Sequence, residues 1–192
     1  TAMKKPFFIC FEGVEGSGKS TQAKLLYKFI KNNITKKVIL TREPGGTAFA
    51  EKIRNILLDN KIKNSPLTEF FLLMAARNDH VVNKINYYLK KKFIIICDRF
   101  FYSTLAYQHY LERMDKNFIY NIQKKIFANI HPDITFLIDL IYSKQLKQKF
   151  YEIKENNEVN KKTIILNDLV VGSQEIFKTT IFKPFLFCNH GI

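Results

Sequence analysis

Short apolar runs alternate with longer amphipathic segments along most of this chain. Apolar runs bounded by glycine, proline or charged residues are typical of buried strands. They occur at 7–12, 38–41, 93–97, 134–138 and 163–166. Apolar positions spaced by three and four residues predict helices at 19–31, 48–58, 68–90, 102–112, 116–129 and 172–183. Strands that alternate with helices predict an α/β domain, with a five-stranded parallel sheet covered by helices on both faces.

Glycines and charged residues cluster just beyond the ends of the predicted strands. The clusters are 12–20, 42–47 and 98–103, and Asp139 follows the fourth strand. Ligands of open parallel sheets bind in the crevice at the carboxyl ends of the strands. No repeat or low-complexity linker divides the chain, so we expect a single domain over residues 1–192 with its chemistry at this edge.

The stretch "FEGVEGSGKSTQ" at 11–22 contains the pattern G-x-x-x-x-G-K-[ST] between a predicted strand and a predicted helix. This loop cradles the phosphates of a nucleoside triphosphate in backbone N–H groups and in the dipole of the following helix. Lys19 is expected to reach the β- and γ-phosphates, and Ser20 to hold Mg²⁺. The predicted ATP-binding residues are Gly13, Val14, Glu15, Gly16, Ser17, Gly18, Lys19, Ser20 and Thr21.

Two other classes of triphosphate-binding protein are weaker interpretations. A GTPase needs a guanine-reading N-K-x-D, but the nearest stretch, 83–86, ends in Asn and lies on a predicted helix. A nucleic-acid-dependent ATPase would suit the net charge of +14. However, the basic residues are mostly lysines spread along the chain, without a basic stripe interleaved with aromatic residues. The excess of Lys, Asn, Ile and Phe is also typical of A/T-rich codon usage.

The cysteines and the apolar runs indicate the cellular compartment of the protein. Cys10, Cys97 and Cys188 are far apart and follow no metal-ligand spacing, which favours reduced thiols and a cytoplasmic protein. No apolar run approaches the length of a membrane span, and no signal peptide is visible, so no membrane partner is expected.

Four further motifs follow the loop in order. They are "TREPGGT" at 41–47, "AAR" at 75–77, "DRFFYSTLAYQ" at 98–108 and "HPDITFLIDL" at 131–140. Together with the loop they resemble bacterial thymidylate kinase, over about 7–140. The resemblance implies a P-loop NTPase-type three-layer sandwich. It also implies ATP-dependent phosphorylation of dTMP to dTDP, with Mg²⁺, on the way to dTTP.

Arginines carry much of the resemblance. The chain has five arginines, and three of them, Arg42, Arg77 and Arg99, lie in the matched motifs. Arg42 and Arg99 follow the second and third predicted strands, so both are expected to face the loop, and forked guanidinium groups suit a phosphate dianion. By the family pattern, Arg42 and Arg99 bind the acceptor phosphate and Arg77 reads thymine.

The "DRFFYSTLAYQ" motif implies further roles. Asp98 is expected to support Mg²⁺ through water, or alternatively to pair only with Lys19 or Arg99. Ser103, Tyr107 and Gln108 match the nucleoside-reading stretch, and the Gln108 amide suits a pyrimidine edge. The alternative for Tyr107 is simple burial in the core.

The loop residue Glu15 is similar to an acidic residue that approaches the dTMP 3′-hydroxyl in this family. A carboxylate beside ATP phosphates needs a compensating charge, for which we expect Arg99. No general base is expected, because the attacking dTMP oxygen is already ionised at neutral pH.

The sequence departs from the family pattern at two places. Leu73 stands where the family has a phenylalanine that stacks on thymine, and nearby Phe70 is expected to compensate. The family also supplies arginines to ATP from a lid, here expected near 140–150, when the loop has none. No arginine follows Arg113, so either the lid is reduced or its segment is missing from this sequence, and we favour the second.

The remaining expectations concern assembly and rival substrates. The resemblance implies a homodimer packed through helices such as 68–90 or 102–129. Because of Leu73, a kinase for another nucleoside monophosphate or a deoxynucleoside stays open as an alternative. Stable binding of nucleic acid is not expected.

Overall fold

The computed structural model describes residues 5–128, 130–139 and 162–167. Five parallel strands form one sheet in the order β2-β3-β1-β4-β5. The strands are β1 (Phe7–Gly13), β2 (Val38–Arg42), β3 (Ile94–Asp98), β4 (Ile134–Asp139) and β5 (Lys162–Asn167). The predicted five-stranded parallel sheet is therefore confirmed.

Helices connect the strands. The helices are α1 (Lys19–Asn33), α2 (Ala48–Leu58), α3 (Pro66–His80), α4 (Asn86–Lys90), α5 (Phe101–Thr104) and α6 (Lys116–Phe127). Side chains cap the amino ends of three of them, α2, α3 and α6. Two π-helical segments, Val81–Ile85 and Leu105–Leu111, extend α3 and α5. The hydroxyl of Ser65 accepts a hydrogen bond from the N–H of Thr68, which caps α3.

Alternation along β1 places apolar side chains on both faces of the sheet. Ile9 and Phe11 pack against α1, whereas Phe8 and Cys10 pack under the helix that ends at Lys90 and against α6. β1 lies between β3 and β4, with Phe11 opposite both Asp98 and Phe136. The loop that follows β1 is thus flanked by the ends of two neighbouring strands.

Some predicted features fall outside this description. The helix expected at 172–183 lies outside the described residues, as does the lid region at 140–150. Within the described ranges, no helix has the length and apolarity needed to cross a membrane.

Candidate active site

The loop between β1 and α1 has a backbone that depends on glycine. Gly13, Gly16 and Gly18 all have positive φ angles, of 140°, 75° and 87°. A Cβ atom at Gly13 would lie 2.3 Å from the carbonyl oxygen of Ile138, so β4 leaves no room for a side chain there. Around Gly16, by contrast, no atom of the described residues apart from its chain neighbours lies within 4 Å of such a Cβ.

Lys19 opens α1 and is folded back over this loop. Its Nζ donates hydrogen bonds to the carbonyl oxygen of Val14 and to Oγ of Ser17, at 3.3 Å from the latter. Burial, with a smaller contribution from the Arg99 charge, lowers the pKa of Lys19 to about 8. The ammonium group is thus held within the loop, where the phosphates of a triphosphate would compensate for its lost hydration.

Ser20 and Asp98 meet across the ends of α1 and β3. The Ser20 hydroxyl donates a hydrogen bond to Oδ2 of Asp98, while Oδ1 is buried without a hydrogen-bond partner among the described residues. A buried carboxylate oxygen beside a hydroxyl suits a hard cation such as Mg²⁺, bound directly or through water. Asp98 thus pairs with Ser20, and not with Lys19 or Arg99 as the alternative interpretation required.

A cavity of about 470 Å³ lies on the Ser20 side of the loop, and we call it the Ser20–Asp98 cavity. It also contains Arg42, whose Nη2 donates to Oε2 of Glu51 at 2.8 Å. The remaining lining residues are Ala23, Lys24, Leu40, Thr41, Gly46, Thr47, Ala48 and Lys84.

A second cavity, of about 290 Å³, lies on the Glu15 side of the loop, and we call it the arginine cavity. Three of its lining residues are Arg54, Arg77 and Arg99. The other lining residues are Glu15, Glu43, Pro44, Leu57, Leu58, Leu73, Ser103, Thr104, Tyr107 and Gln108. Of the predicted acceptor-binding residues, only Arg42 is not among them.

Arg99 follows β3 with a φ of 69° and bridges the loop to α5. Its Nη1 donates to the carbonyl oxygen of Gly13 at 3.3 Å and to Oγ of Ser103 at 3.1 Å. Its guanidinium carbon lies 5.4 Å from the ring centroid of Tyr107. These contacts fix the guanidinium between the phosphate loop and the predicted nucleoside-reading residues.

Glu12, at the end of β1, supports this arrangement from below. Its buried carboxylate accepts hydrogen bonds from the N–H groups of Phe100 and Tyr102 and from the hydroxyl of Ser103. Burial raises the pKa of Glu12. The carboxylate thereby orients the hydroxyl that accepts from Arg99. Sequence reasoning missed this role, although a charged residue inside an apolar strand is a usable signal.

Arg77 lies on α3 and is almost fully buried at the edge of the arginine cavity. Its Nε donates to Glu43, its Nη1 to Thr104 and Gln123, and its Nη2 to the carbonyl oxygen of Phe100. Within the described part of the chain, these bonds leave one Nη2 hydrogen for a ligand. The guanidinium is therefore held in one orientation.

The family model for thymidylate kinase matches residues 11–183. The chain belongs to the thymidylate kinase family. The thymidylate kinase of Rickettsia canadensis (strain McKiel) is 48% identical over 133 residues, which make up 69% of this chain and 64% of that protein. The match therefore spans less than two thirds of this relative. The thymidylate kinase of Wolbachia pipientis wMel is 41% identical over 175 residues, which cover 88% of this chain and 84% of that protein.

The fold is likewise that of a thymidylate kinase. The crystal structure of thymidylate kinase from Ehrlichia chaffeensis matches with a TM-score of 0.82 and 33% identity. The match covers 94% of this chain and 99% of that one. The P-loop fold that the resemblance implied is thus confirmed.

Arg42 lines the Ser20–Asp98 cavity and is not among the residues that line the arginine cavity. Side chains alternate along β2, so Arg42 shares a face with Val38 and Leu40, which pack towards α1. Glu43 points the other way, into the arginine cavity. Arg42 thus lies with Ser20 in the Ser20–Asp98 cavity, whereas Arg99 lines the arginine cavity, and the shared role expected for the two arginines stays a prediction.

Arg54 is the arginine that sequence reasoning missed. It lies on α2 and donates from Nη1 to the carbonyl oxygen of Pro44 at 3.0 Å, and the Glu43–Pro44 peptide bond is cis. Burial and, after it, the charge of Arg42 lower the pKa of Arg54. The sequence does contain a signal for Arg54. Arginine is rare in this lysine-rich chain, and Arg54 lies on the predicted helix that follows "GGT", close in sequence to a motif of the predicted site.

The expectation that Phe70 compensates for Leu73 is wrong. Leu73 lines the arginine cavity, where a residue in contact with a bound base would lie. Phe70 is fully buried in the core, where its ring packs against Phe71 and Phe118. Since Phe70 has no exposed surface, it offers no stacking face to a ligand.

Glu15 lies in the arginine cavity but is not paired with Arg99. The Arg99 guanidinium is used by Gly13 and Ser103. Among the described residues Glu15 and Arg99 line the same cavity without forming an ion pair, and the expected compensation of the Glu15 charge by Arg99 stays a prediction. Tyr107 lines the cavity and also packs against the core cluster beneath it, and its contact with a nucleoside stays a prediction.

Proposed function

We propose that this chain transfers the terminal phosphoryl group of ATP to dTMP and so makes dTDP for dTTP synthesis. The observation that carries this proposal is that the phosphate loop lines two cavities. One holds the Ser20–Asp98 pair, and the other holds Arg54, Arg77 and Arg99. Membership of the thymidylate kinase family supports the same substrates.

The donor side belongs to the loop and to the ends of α1 and β3. Lys19 neutralises the β- and γ-phosphates, and the N–H groups of the loop and of the first turn of α1 bind their oxygens. Ser20 and Asp98 hold Mg²⁺, with Asp98 acting through water. The bound ion supplies charge neutralisation to the transferring group.

The acceptor side belongs to the arginine cavity. Arg99 and Arg54 hold the dTMP phosphate, because a dianion matches forked guanidinium donors and both side chains reach this cavity. Arg54 takes the role that the sequence suggested for Arg42. Lys19 and Arg99 lie on either side of the transferred group, so catalysis consists of positioning and charge stabilisation in line.

The base and sugar occupy the remainder of the same cavity. Gln108 pairs with the pyrimidine edge, and the remaining N–H of Arg77 donates to the base. Leu73 packs on the face of the ring, Tyr107 packs against the deoxyribose, and Ser103 keeps Arg99 in place. Glu15 lies near the sugar 3′-hydroxyl.

A coupled assay of ADP release tests this function. Purified protein is given ATP and Mg²⁺ with dTMP, dUMP, dCMP, dGMP or thymidine in turn. We expect dTMP to have the highest kcat/KM. Equal rates with several monophosphates would favour the alternative substrate class, for which the aliphatic Leu73 is the supporting observation. Hydrolysis that depends on added DNA would instead favour a nucleic-acid-dependent ATPase.

Assembly and compartment complete the proposal. Phe49 on α2 and Phe71 and Val82 on the helix from Pro66 to Lys90 are each about half exposed. We propose that this apolar face packs against a second copy of the chain. The buried free thiols of Cys10 and Cys97 agree with a cytoplasmic enzyme.

A further inference from the structure

His80, at the end of α3, is fully buried and has both ring nitrogens bonded. Its Nδ1 lies 3.0 Å from Oε1 of Glu43, and its Nε2 lies 2.7 Å from Oγ1 of Thr41. Both partners belong to the segment where β2 ends and the "REPGGT" loop begins. The ring therefore ties α3 to this loop.

The charge on Glu43 determines which nitrogen carries the proton. Burial alone would raise the pKa of Glu43, but the Arg77 guanidinium and the His80 ring hold it below its usual value. An ionised carboxylate can only accept, so the Nδ1 of His80 is the donor. In the tautomer with its proton on Nδ1, Nε2 accepts from the hydroxyl of Thr41, and both contacts of the ring are hydrogen bonds.

Glu43 also fixes the orientation of the Arg77 side chain. Oε1 accepts from His80, and Oε2 accepts from Nε of Arg77 at 2.6 Å. With one oxygen fixed by the imidazole, the carboxylate cannot rotate away from the guanidinium. Arg77 lines the arginine cavity, and Glu43 is the one side chain between Arg77 and His80. His80 is therefore linked to the proposed acceptor site.

The ring also fixes the path of the loop itself. A Cβ atom at Gly46 would lie 2.6 Å from Nε2 of His80 and 2.5 Å from Oγ1 of Thr41. The backbone therefore packs directly on this hydrogen-bonded pair. In the same loop, the carbonyl oxygen of Pro44 accepts a hydrogen bond from Nη1 of Arg54. By fixing the loop, the His80 ring therefore also helps to position Arg54, a second arginine of the cavity.

We infer that His80 is a positioning residue for the nucleoside monophosphate. It holds Glu43, and through it Arg77, while its contact with Gly46 holds the loop that supports Arg54. Among the described residues, the donor side of the site, built from Lys19, Ser20 and Asp98, shares no side-chain hydrogen bond with this network. Loss of the hydrogen bond between His80 and Glu43 should therefore weaken binding of the acceptor and leave binding of ATP unaffected. This inference rests on the proposed function in taking dTMP as the acceptor.

Two substitutions at this position separate the roles of the two nitrogens. In His80→Asn the side-chain amide lies where Nδ1 was and keeps a donor to Glu43. In His80→Gln the amide reaches towards Thr41 and leaves Oε1 of Glu43 without its partner. We expect His80→Gln to raise the KM for dTMP about tenfold, and His80→Asn to raise it less than about threefold.

The matched control is Thr41→Val, which removes the bond on the other side of the ring. Its KM for dTMP should stay within about threefold of the parent, because Glu43 keeps both partners. Because Thr41 lines the Ser20–Asp98 cavity, this control is evaluated by the KM for dTMP alone, and the KM for ATP should be unchanged in the two His80 variants. Equal increases in His80→Asn and His80→Gln, or parallel increases for ATP and dTMP, would make His80 an ordinary core residue and overturn the inference.

A measurement on the unmodified protein covers the case in which the variants do not fold. Long-range ¹H–¹⁵N spectra identify the protonated nitrogen of each of the four histidines, and we expect Nδ1 for the solvent-excluded ring of His80. A proton on Nε2 alone would overturn the inference. This result does not depend on the substrate, so an enzyme with the expected tautomer but no dTMP kinase activity would contradict only the proposed function.

Discussion

At the scale of single residues, strand alternation decides which side chains reach the proposed acceptor. Arg42 and Glu43 are neighbours in sequence, yet they point to opposite faces of the sheet. The arginine pairs with Glu51, and the glutamate holds Arg77. Arg54, two turns into α2, lines the same cavity as Arg99, and we propose that the two bind the acceptor phosphate.

Substitution of Arg54 and Arg42 tests this exchange of roles. Arg54→Ala should raise the KM for dTMP by about 10- to 100-fold, because a charge-assisted phosphate contact is lost. Arg42→Ala breaks an exposed ion pair and should change the KM for dTMP less than about threefold. Steady-state kinetics at saturating ATP measure both, and a larger effect of Arg42→Ala would return the phosphate-binding role to Arg42.

Lys19 makes ATP binding depend on pH. With a pKa of about 8 in the free protein, Lys19 loses its charge as the pH rises through that value. Bound phosphates favour the charged form, so the pKa is higher in the complex and ATP binding takes up a proton. We expect ATP affinity to fall between pH 7 and 9, while proton uptake rises to about half a proton per ATP at pH 8.

Calorimetric titrations in buffers with different ionisation enthalpies measure this uptake. Lys28→Ala, which removes an exposed lysine further along α1 that lines neither cavity, should leave this uptake unchanged. Binding that takes up no proton between pH 8 and 9 would mean that Lys19 is fully charged in the free protein.

At the scale of elements, the hydrophobic pattern predicts the strands and helices well. Predicted strand limits such as 38–41 and 163–166 lie within one residue of the observed ends. The pattern does not predict the Glu43–Arg77–His80 network or the contact of Glu12 with α5. Those contacts join side chains that are 34 to 91 residues apart, and their geometry follows from how the helices pack on the sheet.

The amino end of α3 offers a prediction at this scale. Ser65→Ala should lower the free energy of unfolding by about 1 kcal/mol, because the N–H of Thr68 loses its acceptor. Ser65→Asp keeps an acceptor and should retain most of the stability. Urea denaturation followed by circular dichroism measures both. Equal stability of Ser65→Ala and the parent would show that the cap contributes nothing.

At the scale of the whole molecule, charge and exposed apolar surface have separate consequences. The net charge of +14 favours the approach of polyanionic nucleotides from a distance. The side chains of Phe49, Phe71 and Val82 are among the exposed large apolar residues of the helices, and they mark the proposed dimer contact.

Sedimentation velocity tests this contact. The parent protein should sediment as a dimer, and Val82→Glu should shift it towards monomer, because a charge is buried without a partner. Lys28→Gln makes the same change in net charge on α1 and should leave the dimer intact. A monomeric parent at micromolar concentration would rule out a stable homodimer.

The open space around Gly16 has a consequence for protein engineering. In the part of the chain that the structure describes, no atom beyond the chain neighbours lies within 4 Å of the point that a Cβ would occupy, so the cost of a substitution there comes from the backbone, whose φ is 75°. Such a penalty is about 1 kcal/mol, and least for asparagine. Gly13, by contrast, admits no side chain. The loop thus has one position from which a designer can extend a new donor over bound phosphates while leaving the packing of β1 and β4 intact.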